Sequence, residues 1–267
     1  MIVVKIGGAQ GIDPGPFCED VAALVAQGRP IVVVHGGSHE TNVISERLGK
    51  PPRYVTSTSG HQSRYTDRET LEIFAMVVGG RVNKLLVEQL QRRGVNALGL
   101  SGADGRLLEA KRKSTLKIVE DGKVKILRDE WSGVVERVNV SLLRGVLAGG
   151  YVPVVAPLAI STEGEMVNVD GDRAAAAIAA ALGADTLVLL TNVPGLLRAF
   201  PDETTLVSYI PRDEIEAHMV FAQGRMKRKL LGAQEAILGG VRRVVLADGR
   251  AERPVLRALE GKGTVVE

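Results

Sequence analysis

The sequence predicts an α/β fold: an αβα sandwich with a mostly parallel central sheet and an inserted β-hairpin region. Three observations carry this. Two apolar, largely β-branched runs, 1–4 and 31–34, lead into Gly-Gly turns at Gly7-Gly8 and Gly36-Gly37. Uninterrupted strands of this kind are buried on both faces, as in parallel sheets. Segments with helical spacing alternate with strands along the chain. The alternation breaks over residues 106–137, where Lys117-Ile118-Val119-Glu120 and Lys123-Val124-Lys125-Ile126 flank Asp121-Gly122, a two-residue hairpin signal.

Taken in order, 16–27 carries apolar residues at Phe17, Val21, Leu24 and Val25, the spacing of a helix, and Gly28 ends it. Ser38 is positioned to cap a second helix through Leu48. Residues 50–66, rich in Pro, Ser, Thr and Gly, predict a loop. Asp67 is positioned to cap a long helix to Arg93, broken near Gly79-Gly80. A strand at 96–100, a helix at 139–148 and a strand at 152–157 follow. Residues 165–172 predict a polar connection, 173–182 an Ala-rich helix and 186–190 a strand. After a loop over 191–203 come helices at 211–221 and 226–238, a strand at 241–246, a helix at 252–259 and a closing strand at 263–266.

Hydrophobic residues make up 45 % of the 267, which fits a globular chain and argues against disorder. No apolar stretch approaches a membrane span, and the chain starts in a strand, with no basic, cleavable leader. Cys18 is the only cysteine, so there is no intrachain disulfide, and the four histidines lack metal-ligand spacing. These features predict a cytoplasmic protein with no membrane attachment and no metal site of its own. A net charge of +3 and 3 % aromatic residues offer no platform for nucleic acid. The charge is uneven, however: residues 106–128 hold eight basic side chains against three acidic ones. Such a hairpin is either a solvated edge whose lysines discourage strand pairing or a docking face for an acidic partner.

Strand–Gly-Gly turns let backbone N–H groups approach a bound anion, and Lys5 puts a cation at the same strand end. Alone, the turns fit a tight bend equally well. Asn168-Val169-Asp170-Gly171-Asp172 adds an amide and two carboxylates at a helix entry, where capping is the plain alternative. Gly224-Arg225-Met226-Lys227-Arg228-Lys229 opens a helix with four cations against the helix dipole, so an anion should compensate. Thr191–Leu196 is a strand-end turn of a type that can cover a nucleotide, though taken alone it reads as a plain loop. A P-loop and a Gly-x-Gly-x-x-Gly fingerprint are both missing, which argues against P-loop and dinucleotide enzymes.

Over nearly the whole chain, and in this order, Lys-Ile-Gly-Gly (5–8), His-Gly-Gly (35–37), Asn-Val-Asp-Gly-Asp (168–172), Thr-Asn-Val-Pro-Gly (191–195) and Gly-Arg-Met-Lys-Arg-Lys (224–229) resemble the amino-acid kinase family, within it the acetylglutamate-kinase branch. The resemblance implies transfer of the γ-phosphoryl group of ATP, with Mg2+, to a carboxylate, giving an acyl phosphate. It implies Lys5 and Lys229 as catalytic lysines, Lys227 being a rival for the second, and Asp172 as the aspartate that organises them. Acceptor contacts fall on Gly36, Gly37, Arg64 and Asn168. Nucleotide contacts fall on Gly7, Gly8, Thr191, Asn192, Gly195, Leu196, Gly224 and Met226; the family usually has Asp where this chain has Asn192. Residues 1–165 would form an acceptor-binding lobe and 166–267 an ATP-binding lobe. A homodimer is the family-level expectation, with the helix from Asp67 a candidate interface. The loop 54–67 is similar to that of kinases whose α-aminoadipate acceptor is attached, through its amino group, to the C-terminal glutamate of a small acidic carrier protein in lysine biosynthesis. His61 in this loop is a candidate substrate contact. Free N-acetylglutamate, in arginine biosynthesis, and carrier-linked glutamate are the alternative acceptors.

Overall fold

A computed structural model describes residues 1–267 except Ser59, His61 and Asp121. The chain opens with β1 (Ile2–Ile6), α1 (Pro14–Ala26), β2 (Ile31–His35) and α2 (Ser38–Arg47). A small hairpin, β3 (Tyr54–Ser57) and β4 (Gln62–Arg64), precedes a helical segment in three parts: α3 (Arg68–Ala75), a π-helical turn (Met76–Val82) and α4 (Asn83–Gln91). Next come β5 (Ala97–Ser101), β6 (Leu108–Arg112), β7 (Thr115–Glu120), β8 (Lys123–Arg128), β9 (Ser132–Val138), α5 (Val140–Ala148) and β10 (Val152–Ala156). Strands β11 (Leu158–Ser161) and β12 (Met166–Val169) lead into α6 (Gly171–Leu182) and β13 (Thr186–Thr191). The remainder is β14 (Tyr209–Ile210), α7 (Ile215–His218), α8 (Arg225–Leu238), β15 (Arg243–Asp248), α9 (Pro254–Leu259) and β16 (Thr264–Val266).

Eight strands form the central sheet in the order β14-β16-β15-β13-β1-β2-β10-β5. Every pairing is parallel except β15 with β16. Side chains of β1 alternate between two cores. Val3 packs towards α6 and α8, whereas Ile2, Val4 and Ile6 pack towards α1, α4 and α9. Burial on both faces is why β1 and β2 read as unbroken apolar runs. Phe17 of α1 is fully buried in the second core, which stabilises the fold by roughly 1.5–3 kcal/mol for a side chain of that size. Cys18 lies beside it, and burial pushes its thiol up to about 12, so it is a core residue.

The inserted region is not one sheet. Strands β6 and β9 close a small barrel with β11 and β12, whereas β7 and β8 join β3 and β4 in a separate four-stranded sheet. The expected hairpin turn is there, with Glu120 opposite Lys123 and Gly122 at φ +71°; Asp121 lies outside the described residues. Two expected loops are corrected. Within the expected 50–66 loop lie strands β3 and β4, because the β3 backbone pairs with β4 and β7 although only Val55 of β3 is buried. The 165–172 connection contains β12, held between β11 and β9. The helix expected over 211–221 shrinks to α7 and a 3-10 turn. Ser38 is not a cap. It is the first residue of α2, and its hydroxyl donates to the Gly8 carbonyl at 3.1 Å. Asp67 does cap α3, accepting from Thr70 N at 2.8 Å, and the Gly79-Gly80 pair falls inside the π-helical turn.

Candidate active site

On β1 the side chains alternate, so Lys5 shares the α6-facing side with Val3. One residue before the strand ends, a cation therefore replaces an apolar side chain and meets the first turn of α6. Asp170 caps that helix: its Oδ1 accepts from Asp172 N at 3.0 Å and Arg173 N at 3.1 Å. The cap frees Asp172, whose Oδ1 lies 2.7 Å from Lys5 Nζ. Lys229, one turn into α8, donates to both Asp172 oxygens, at 3.0 and 3.1 Å. Helix α8 comes this close because Gly232 faces α6: a Cβ there would lie 3.3 Å from the Asp172 carbonyl oxygen. Arg173 and Glu235 join the two helices by a bidentate pair at 2.5 and 2.9 Å.

The Lys5, Asp172 and Lys229 residues are 6, 7 and 6 % exposed. Burial alone would raise the Asp172 carboxyl, but the ammonium groups of Lys229 and Lys5 outweigh it and hold the carboxyl far below the usual range. Burial pushes Lys229 down to about 8 despite Asp172, with Lys5 adding repulsion. One carboxylate thus serves two ammonium groups, leaving one surplus positive charge in a nearly dry site. Lys227, the rival left open by the sequence, makes no ion pair among the described residues.

The two glycine turns meet beside this triad. Gly36 N donates to Ile6 O at 3.0 Å and His39 N to Gly8 O at 2.9 Å. A Cβ on Gly8 would overlap Gly37 N, and one on Gly36 would fall 2.7 Å from Gly8 N. Only glycine allows this approach. On the acceptor side, Arg64 Nη2 donates to Ser38 O at 3.0 Å, while Nη1 is buried with no hydrogen-bond partner among the described residues. Asn168 Nδ2 donates to Thr66 Oγ1 at 3.3 Å, and Thr66 in turn donates to Arg64 O. Gly36, Gly37, Arg64 and Asn168 thus lie along one connected rim. His61 lies outside the described residues.

The remaining candidates separate. Thr191 ends β13 and accepts from Gly249 N at 2.7 Å, and Asn192 is exposed. Gly195 and Leu196 turn inward: Leu196 is fully buried, its N–H donates to Thr264 Oγ1 at 2.8 Å, and its carbonyl accepts from Val207 N. Gly224 precedes α8 at φ +51°, and Met226 is half-buried against the core. Sequence reasoning missed Arg228, which donates to the Gln62 carbonyl of β4 and lies 3.6 Å from Asp170. Its only signal was its place in a run of cations. Among the described residues, no group of three His, Cys, Asp or Glu could hold a metal ion. Both Asp172 oxygens are already engaged by lysines.

Two buried ammonium groups on one carboxylate, beside paired glycine turns at the carboxyl ends of parallel strands, define a site for a transferring anion. The chain belongs to the amino acid kinase family, whose model matches residues 1–248, and it is an ATP-dependent kinase. It is 57 % identical over 266 residues to a LysW-aminoadipate kinase of Deinococcus radiodurans, covering 100 % of this chain and 91 % of that one. It is 55 % identical over 268 residues to a LysW-aminoadipate kinase of Thermus thermophilus, covering 100 % of both. Among solved structures it resembles N-acetylglutamate synthase from Neisseria gonorrhoeae complexed with coenzyme A and N-acetyl-glutamate. The TM-score is 0.80 at 28 % identity, over 99 % of this chain and 58 % of that one.

Proposed function

We propose that the protein phosphorylates the side-chain carboxylate of α-aminoadipate carried by a LysW-type protein, forming an acyl phosphate in lysine biosynthesis. The observation that carries the chemistry is the convergence of Lys5 and Lys229 on Asp172. The acceptor is suggested by the names of the relatives above and by the loop 54–67. Its carboxylate, with a reference pKa near ~4.3, is ionised at neutral pH and needs no general base. The barrier lies in bringing two anions into line while negative charge spreads over the moving group. Lys5 would meet that group from the β1 side and Lys229 from the nucleotide side, with Asp172 keeping the two ammonium groups oriented. The N–H groups of Gly8 and Gly37 would donate without reorganising. Thr191, Asn192, Gly224 and Met226 of the lobe 166–267, with Gly7 at the end of β1, would line the ATP side; Arg64 of the lobe 1–165, with Asn168 just past its boundary, would line the acceptor side. Mg2+ would arrive on the phosphates of ATP, since no carboxylate of the triad is turned towards a metal.

The sheet β4-β3-β7-β8 suits a protein-borne acceptor. Residues directly opposite share a face, so Val119 and Val124 stand with Thr56, flanked by the pair Lys117 and Ile126 and by the pair Tyr54 and Arg64. Val119, Val124 and Ile126 are 43, 65 and 58 % exposed. An apolar strip with basic neighbours thus runs from the acceptor rim outward, a match for a small acidic carrier. No described helix is long and apolar enough to cross a membrane, and the reading carries a cytoplasmic site of action. Two copies would associate through the helix from Asp67, which leaves Met76 and Leu85 exposed. Edge strand β5 and the open apolar groove of about 570 Å³ between it and α5, remote from the triad, would extend that contact. A monomer in sedimentation would remove this part.

The deciding assay traps the acyl phosphate as a hydroxamate, with carrier-linked aminoadipate, carrier-linked glutamate and free N-acetylglutamate side by side. ATP-dependent product greatest with carrier-linked aminoadipate is expected. Equal or greater product from free N-acetylglutamate would move the enzyme to the alternative. Lys5→Ala should lower turnover by about 100-fold or more. Its melting temperature should hold, because Lys229 still neutralises Asp172; unchanged turnover rejects the role.

A further inference from the structure

His35 closes β2 one residue before the Gly36-Gly37 turn, and it is 1 % exposed. Its Nδ1 lies 2.8 Å from the Gly36 carbonyl oxygen, and its Nε2 lies 3.1 Å from Asn83 Nδ2. A carbonyl only accepts, so Nδ1 carries the proton; an amide nitrogen only donates, so Nε2 is bare. The Asn83 amide is itself fixed. Its two Nδ2 hydrogens face three acceptors, the His35 ring, Val154 O at 2.9 Å and, as the longest and shared contact, Leu100 O at 3.3 Å, and its Oδ1 accepts from Lys84 Nζ at 3.2 Å. Burial lowers the imidazole to about 4, with Lys5 and Lys84 further opposing a second proton. The ring is therefore a neutral bridge of one tautomer between α4 and the glycine turn.

We propose that His35 is a positioning residue for phosphoryl transfer: by holding the Gly36 carbonyl, it aims the Gly37 N–H into the cleft. In a trans peptide the carbonyl and the following N–H point in opposite directions. Fixing the Gly36 oxygen on the imidazole therefore turns the Gly37 N–H away from the ring. Among the described residues, neither that N–H nor the N–H of Gly8 donates to a group of the chain, and the two turns abut. A Gly-Gly peptide has little steric preference of its own, so its orientation must be imposed from outside. The π-helical turn contributes on the other flank: Val78 lies where a Cβ on Gly37 would come within 2.7 Å of it, and Asn83 follows the turn directly. Like the reading above, this inference takes Gly37 N–H as a donor to the reacting anions.

Nitrogen-15 NMR of His35 is the first test. The Nδ1-protonated, neutral form should persist unchanged from about pH 5.5 to 9; an Nε2-protonated ring, or a titration inside that window, overturns the proposal. The second test uses two variants. H35N keeps an amide donor within reach of Gly36 O, and H35F keeps only bulk. H35F should lose about 30-fold in kcat with little change in the KM for ATP, and H35N should recover most of it. Equal kcat losses in two folded variants overturn the proposal. If H35F fails to fold, the tautomer in the unaltered protein decides alone. The tautomer involves no acceptor, and kcat is read with whichever carboxylate the unaltered enzyme phosphorylates, so an error in the acceptor leaves both readouts intact.

Discussion

At the scale of single residues, two carboxylates two positions apart do different work. Asp170 spends its Oδ1 on the helix end, and Asp172 turns to the lysines. Their order could be read in the sequence; their division of labour could not, because both fit a cap. Lys5 at its strand end and Lys229 in its run of cations each stood out locally, but that they act together was legible only through a resemblance, since they lie 224 positions apart and no local pattern says they meet. The geometry sets a pH dependence. With Lys229 near 8 in the free enzyme, kcat/KM for ATP should fall as pH rises through about 8, as the ammonium is lost. Bound phosphates stabilise the ammonium, so the limb in kcat should lie at higher pH. Asp172→Asn removes the attraction holding that proton, so the residual kcat/KM limb should shift to lower pH; an unmoved limb would mean that Lys229 is not the titrating group. Stability runs the opposite way for this lysine. Its ammonium is disfavoured by folding at neutral pH, and that penalty fades between about 8 and the ordinary lysine value of 10.5.

At the scale of elements, the strands buried on both faces announced themselves by composition, and so did the helices with apolar stripes. The strands β3, β4 and β12 did not. β3 and β4 are short and mostly polar, and β3 is held by backbone pairing to the distant β7; β12 is only four residues long and sits in a stretch whose remainder is polar, so no period betrays them. The glycines divide by the same logic. Gly8→Ala would force backbone against backbone at Gly37, so turnover should fall by about 100-fold or more. Gly145→Ala sits inside α5 with open space around its Cβ. It should instead raise stability by about 0.5–1 kcal/mol. A chemical-denaturation series of both variants checks the contrast; a Gly8→Ala enzyme of normal turnover would show that the two turns need not abut.

For the whole molecule, the layered sandwich was readable because alternation of strand and helix leaves few architectures open. The split of the inserted region into a barrel and a separate sheet was not, because β6 and β9 find each other around an intervening hairpin. The basic excess of residues 106–128 is also partly spent internally: Lys125 pairs with Glu120, and Arg112 pairs with Glu165. What remains for a partner is the outer strip. Lys117→Glu with Ile126→Asp should raise KM for a carrier-linked acceptor about tenfold or more while sparing free N-acetylglutamate. Added salt should likewise weaken the carrier-linked acceptor selectively; equal effects on both acceptors would leave the hairpin a solvated edge. Where the two glycine turns touch, bare backbone fills the joint and no side chain is left to vary. A replacement there meets no yielding neighbour, whereas the outer hairpin can exchange residues, and with them its preferred acid, without disturbing the groups that move phosphate.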